Sequence, residues 1–135
     1  MDRLWVDANV ILRFLRGEPA KLAGQSRKLM LRAERGEVTL VVSSMIVAEV
    51  FWVLRSVYRM QVRDIVPALI EYLSARGIEV EELAVVTHAL ELTADKNVDY
   101  IDSYLALKAA QHHEKVCTFD SQDFNKLPVV WVSPE

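Results

Sequence analysis

LWVDANVILRFLRG, residues 4–17, decides how the rest of the chain is read. Its opening LWV (4–6) is a short apolar run of the kind buried as a strand. Asp7 ends the run, a stretch with helical spacing (9–16) follows, and Gly17 stops it in the way glycine commonly ends a helix. The same alternation continues outward. Apolar runs at 39–42, 116–119 and 129–132 read as further strands, with 78–80 a fifth candidate. The spacing predicts helices over 20–35, stopping at Gly36, and from Ser44 to about 58. Another starts at Asp64, with Pro67 in its first turn and Gly77 past its end. Two more cover about 85–94 and about 100–113. Strands alternating with helices imply βαβ units. The expected fold is α/β, with a mostly parallel central sheet flanked by helices on both faces.

Composition agrees with one packed domain over residues 1–135. Hydrophobic residues make up 52%, enough for a sizeable core, and no repeat or linker interrupts them. Lys and Arg number 16 against 19 Asp and Glu, a net charge of −3. That excludes a bulk basic clamp for nucleic acid and leaves room for a local basic patch. Cys117 is the one cysteine, so no internal disulfide and no cysteine-rich zinc site are available, and a reducing compartment fits. Within the run 116–119 it reads as core, and Trp5 and Trp131 also read as packing. No signal-peptide pattern opens the chain, and no apolar run approaches the roughly 20 residues of a membrane span. A cytoplasmic protein without a membrane segment is expected.

In an α/β sheet the strands' C-terminal ends and the helices' N-termini share one edge, where ligands bind. Asp7 follows the first strand and Asp120 follows VCTF; Asp102 lies in the first turn of the helix from Tyr100, and Glu49 is little more than one turn past Ser44. Four carboxylates from four segments are thus expected on one edge. Each has a structural alternative. Asp7 is suited to cap the next helix, Asp99 and Asp102 to complement a helix dipole, and Asp120 to a turn in FDSQDF. Glu49 is flanked at helical spacing by Met45, Ile46, Trp52 and Val53, which predicts a buried carboxylate that must be paired, metal-bound or protonated. Clustered acids repel unless a cation compensates. Oxygen ligands without a Cys or His pattern select Mg²⁺ or Mn²⁺, ions that activate water for attack on phosphodiesters.

Four segments carry a family resemblance. Asp7-Ala8-Asn9-Val10 resembles the D-[ST]-N-hydrophobic opening of PIN-domain nucleases. SSMIVAEVFWVLRSVYRM is similar to the second-acid region of VapC-type toxins, with Glu49 at the acid. VDYIDSYLALKAA resembles their third-acid helix, with Asp102 in the acid position, and VCTFDSQDF the strand end bearing the last acid, Asp120. The segments occur in family order across nearly the whole chain. The resemblance implies a Mg²⁺-dependent endoribonuclease that is the toxin of a VapBC-type pair, neutralised by a small antitoxin protein and forming a homodimer. It implies Asp7, Asp102 and Asp120 as direct or water-mediated metal ligands, with Glu49 orienting or activating water. Ala8 departs from the family's Ser or Thr, which removes a hydroxyl near the metal. Asn9 and Ser44 remain as polar neighbours able to orient ligands or waters, and Asp99 as an accessory acid.

Arg13 and Arg16 are candidates for RNA phosphate contact, with a solvated helix face as the alternative. His88, His112 and His113 lack metal spacing, and the last two suit a helix C-terminus. Other functions compete. A phosphoacceptor signalling domain also clusters acids at strand ends, but the first strand, DRLWVD, lacks the acidic pair and the late strand ends in Asp120 rather than Lys. A D-x-D phosphohydrolase is disfavoured by Asn9. An inactive PIN domain kept for binding would carry an uncompensated acidic cluster.

Overall fold

The opening run forms a strand, β1 (Asp2–Trp5), in a computed structural model that describes residues 2–135. The strand sits two residues earlier than the apolar run suggests, and Val6, just past it, still donates its N–H to the Val41 carbonyl at 3.0 Å. Helix α1 (Ala8–Arg16) follows at once, because the Asp7 carboxylate accepts the Val10 N–H at 3.2 Å. It ends where Gly17 takes φ +69° and returns its N–H to the Arg13 carbonyl. Then come α2 (Ala20–Glu34), β2 (Val38–Val42), α3 (Ser44–Ser56), α4 (Val62–Leu73) and β3 (Ile78–Val80).

β1, β2 and β3 form a parallel sheet in that order, with Trp5 opposite Val41 and Val42 opposite Val80. Each crossover carries two helices. In β2 four residues are buried and Thr39 is half-buried. Neighbouring side chains on a strand point to opposite faces, so both faces of this central strand are covered, as the α/β reading requires. Ile11, Val47, Val50, Ile65 and Leu69, from α1, α3 and α4, are fully buried in the core. Gly77, with φ +85°, enters β3 where a Cβ would collide with the carbonyl of Ala33, so only glycine lets the end of α2 come this close.

Two compact units divide the chain: the described residues up to Leu83, and Ala84–Glu135. The second takes in all but the first residue of α5 (Leu83–Lys96), then α6 (Tyr100–Gln111), β4 (Val116–Cys117), α7 (Ser121–Phe124) and β5 (Trp131–Val132). β4 and β5 pair in parallel as a separate two-stranded sheet. Val98, Ala106, Val116, Phe124 and Leu127 are its core, with Trp131 and Val129 packed against them. Thr93 and Ser103, both fully buried, share a hydrogen bond of 3.1 Å between α5 and α6; the two hydroxyls also reach the Ala89 and Asp99 carbonyls. No polar atom of the pair is left unsatisfied.

Several local expectations are corrected. Cys117 is exposed rather than core, because β4 is only two residues long and Val116 alone turns inward. Trp5 is 62% exposed, on a strand whose four residues are all exposed. Ser43, not Ser44, caps α3 by accepting the Ile46 N–H at 3.2 Å. Asp64 lies inside the first turn of α4 rather than capping it, since its own N–H and that of Ile65 bond the Gln61 carbonyl. Pro67 consequently falls past the first turn. α6 ends at Gln111, because His113 takes φ +57°. Among the described residues no helix is long and apolar enough to cross a membrane.

Candidate metal centre

The second unit gathers carboxylates. Asp102 stands in the first turn of α6, half-buried, while Asp99 occupies the N-cap with its carboxylate making no capping bond. Asp120 follows β4, its N–H held by the Thr118 hydroxyl at 2.9 Å. Its Oδ1 accepts the Asp123 N–H at 3.0 Å, which starts the one-turn helix α7 and brings Asp123 back beside it. One oxygen each from Asp102, Asp120 and Asp123 then lies within 4.8 Å of the others, the one such convergence of potential ligands among the described residues.

Burial pushes the Asp102 carboxyl above its usual range, and the negative charges of Asp99, Asp120 and Asp123 add to the rise. The Lys126 ammonium, 4.0 Å from Asp123, is a surface partner and offsets little of this repulsion. A divalent cation would offset much more of it. Three carboxylate oxygens gathered inside 4.8 Å are the hard donors such an ion takes, and no sulfur or imidazole competes. The residues present therefore fit Mg²⁺ or Mn²⁺. Asp123 was not among the acids singled out in the sequence. Its spacing of three from Asp120, the interval of an N-cap and its N3 partner, was the available signal.

The remaining candidates belong to the first unit. Asp7, Ser43 and Glu81 follow β1, β2 and β3, so they share the sheet's C-terminal edge. Glu81 had no signal in the sequence; its carboxylate accepts the Ser44 N–H at 3.4 Å, at the start of α3. Asp7 is exposed and lines a cleft of about 280 Å³ with Asn9, Arg13 and residues of α2. Glu49 is exposed, which overturns the expectation of a buried carboxylate. α3 buries Val47, Val50, Phe51 and Leu54, a single stripe, and Glu49 lies on the opposite side with Met45 and Trp52, 80% and 58% exposed. Nothing about its surroundings then forces a partner. Arg13 reaches the Tyr58 hydroxyl at 3.3 Å, and the Arg16 guanidinium sits 4.4 Å over the Tyr58 ring and 3.6 Å from Glu18. β1 and β4 belong to different sheets, so Asp7 and Asp120 do not end strands of one sheet as expected. The backbone partner of β4 is β5, through Val116 N–H to Val130 and Thr118 N–H to Val132.

A family model described as PIN domain matches residues 4–130, running across both units. Among curated proteins no match is found. Among solved structures, VapBC2 from Rickettsia felis bound to a DNA fragment from their promoter aligns over 100% of both chains at 17% identity. Its TM-score is 0.38, a likeness too slight to speak for function.

Proposed function

The chain belongs to the PIN-domain family, whose members are generally nucleases, and from that premise we propose a divalent-metal-dependent endoribonuclease, the toxin of a VapBC-type pair. The observation that carries this reading is the meeting of Asp102, Asp120 and Asp123 oxygens within 4.8 Å in a chain of this family. Mg²⁺ or Mn²⁺ is the proposed cofactor, held by Asp102 and Asp120 with Asp123, and by Asp7 as the sequence motif implies. When bound, such an ion would activate water and stabilise charge on a phosphoryl oxygen.

The chain's own groups prepare that chemistry. Asp120 spends one oxygen on the α7 cap, which fixes its carboxylate plane, and its other oxygen makes no hydrogen bond among the described residues. Asp102 is held by a helix whose first turn is pinned through Ser103 to the buried Thr93. Glu49, free of the core, is the group proposed to orient or deprotonate water, with Asn9, Ser44 and Asp99 as accessory polar groups. Arg13, which lines the Asp7 cleft, is the proposed phosphate contact, whereas Arg16 covers Tyr58. A small antitoxin, a second copy of the chain and a cytoplasmic setting complete the proposal.

The test is incubation of the purified protein with total cellular RNA, with and without Mg²⁺, and mapping of the new ends. Cleavage is expected only with metal, and Asp102→Asn or Asp7→Asn should reduce it by about 100-fold, since even groups that merely support metal ligands cost up to that much. Metal-independent cutting, or full activity in either variant, overturns the reading.

A further inference from the structure

A net charge of −3 repels a polyanion, so a chain that binds RNA must concentrate its positive charge somewhere. α2 is where it does. The helix carries Lys21, Arg27, Lys28 and Arg32 against Glu34, a net of +3. Four basic side chains, Lys21, Lys28, Arg32 and Arg35 just past the helix end, recur at intervals of seven, four and three residues. They form one stripe about 21 Å long at 1.5 Å per residue. All four are exposed, and the stripe lies opposite the side on which Ala23 and Ala33 are fully buried.

An ordinary solvated helix face mixes both signs of charge. This one contains no acid. Glu37, beyond the helix, is shared at 3.8 Å by Arg32 and Arg35, and among the described residues no carboxylate pairs with Lys21 or Lys28. One flank of the stripe is also the wall of the cleft at Asp7. Leu22, Gln25, Ser26 and Leu29 of α2 face Asp7, Asn9 and Arg13 across it. A strand whose phosphates followed the stripe would therefore run alongside one of the proposed catalytic acids, in the same unit.

We propose that the Lys21–Lys28–Arg32–Arg35 face of α2 is a phosphate track that holds the RNA backbone without reading its sequence. The proposal rests on the ribonuclease reading and assigns the part of the surface that grips the substrate. Lys and Arg contacts of this kind act by releasing condensed cations, so they make binding salt-dependent and leave the chemistry alone.

The experiment measures binding of a labelled single-stranded oligoribonucleotide of mixed sequence in chelator, by anisotropy across a salt series. Wild type is compared with Lys21→Gln/Lys28→Gln and with a control of equal charge change, Arg63→Gln/Lys115→Gln, whose exposed residues lie on α4 and beside β4. Losing two phosphate contacts should lower the slope of log K against log salt by about 1.4 and weaken low-salt binding about tenfold. The control should do neither. In Mg²⁺ the same α2 variant should raise KM for RNA and keep kcat. Equal loss in both double variants would mean bulk charge only and overturns the track. So does unchanged binding in the α2 variant, the result expected if the stripe serves an acidic protein instead. If wild type cleaves RNA while the α2 variant binds it normally, the track falls and the nuclease stands; if wild type neither binds nor cleaves RNA, both fall.

Discussion

Asp120 has two duties that one substitution can separate. Its Oδ1 caps α7, and its charge bears on Asp102. Asn caps a helix about as well as Asp, so Asp120→Asn keeps the first duty and removes the second. At neutral pH in chelator the variant should melt about 1–3 °C higher, the shift expected of roughly 0.5 kcal/mol of relieved repulsion at an exposed site. In saturating Mg²⁺ or Mn²⁺ the further rise seen in wild type should shrink, because a ligand is gone and binding to the folded state stabilises by mass action. Asp120→Ala loses the cap as well and should be less stable than Asp120→Asn by about 0.5–2 kcal/mol. A metal response in Asp120→Asn as large as in wild type would remove Asp120 from the centre. Asp7 caps α1 as its structural alternative has it, Asp120 caps α7 where a turn is expected, and Asp99 makes no capping bond; capping with one oxygen leaves the other available.

Elements are tied to one another by contacts that local patterning does not announce. Arg3 of β1 and Glu79 of β3 form a two-pronged ion pair across the intervening β2, one prong at 3.0 Å. Arg3, Thr39, Val41 and Glu79 share one face by register, so the pair spans the strand that separates its partners. The Arg3 guanidinium, chiefly by its hydrogen bond, holds the Glu79 carboxyl below its usual value. A carboxyl depressed in the folded state stabilises the fold above its unfolded pKa, and that contribution is lost as pH falls through the lowered folded value. Both side chains are 53% exposed, so the effect is small and screened by salt. In thermal melts over the acid range, Arg3→Gln should flatten the wild-type loss of stability below the ordinary glutamate range and match wild type at the acid end. A parallel offset at every pH would assign Arg3 a packing role instead.

At the scale of the whole molecule, α3 leaves large apolar side chains uncovered. Met45 and Trp52 are exposed on the side away from the helix's buried stripe. An apolar face of that kind is commonly covered by association. A dimer is expected in sedimentation at micromolar concentration, and Met45→Glu/Trp52→Glu should shift it to monomer. Burying a large apolar side chain contributes about 1.5–3 kcal/mol, so losing two on each chain is enough to displace the equilibrium. A wild-type monomer at that concentration would sink the expectation.

The sequence alone determined the alternation of strands and helices, the parallel pairing of strands, the stop of α1 at Gly17 and the place of Asp102 in the first turn of α6. Those features depend on interactions between residues a few positions apart: apolar periodicity, caps, and glycine at a positive φ. Tertiary structure decided the rest. Asp123 joined the acidic group because a four-residue helix, too short to show a period, turned it back toward Asp120. Glu49 came out exposed because apolar neighbours along a helix do not imply burial; only the stripe turned to the core is buried, and α3 has apolar side chains on both sides. Two-residue strands chose each other as partners and left β1, β2 and β3 as their own sheet, a choice made by backbone pairing between residues far apart in the chain. Local chemistry fixes which elements form; which side chains those elements bury or bring together is set by contacts that only the folded chain makes.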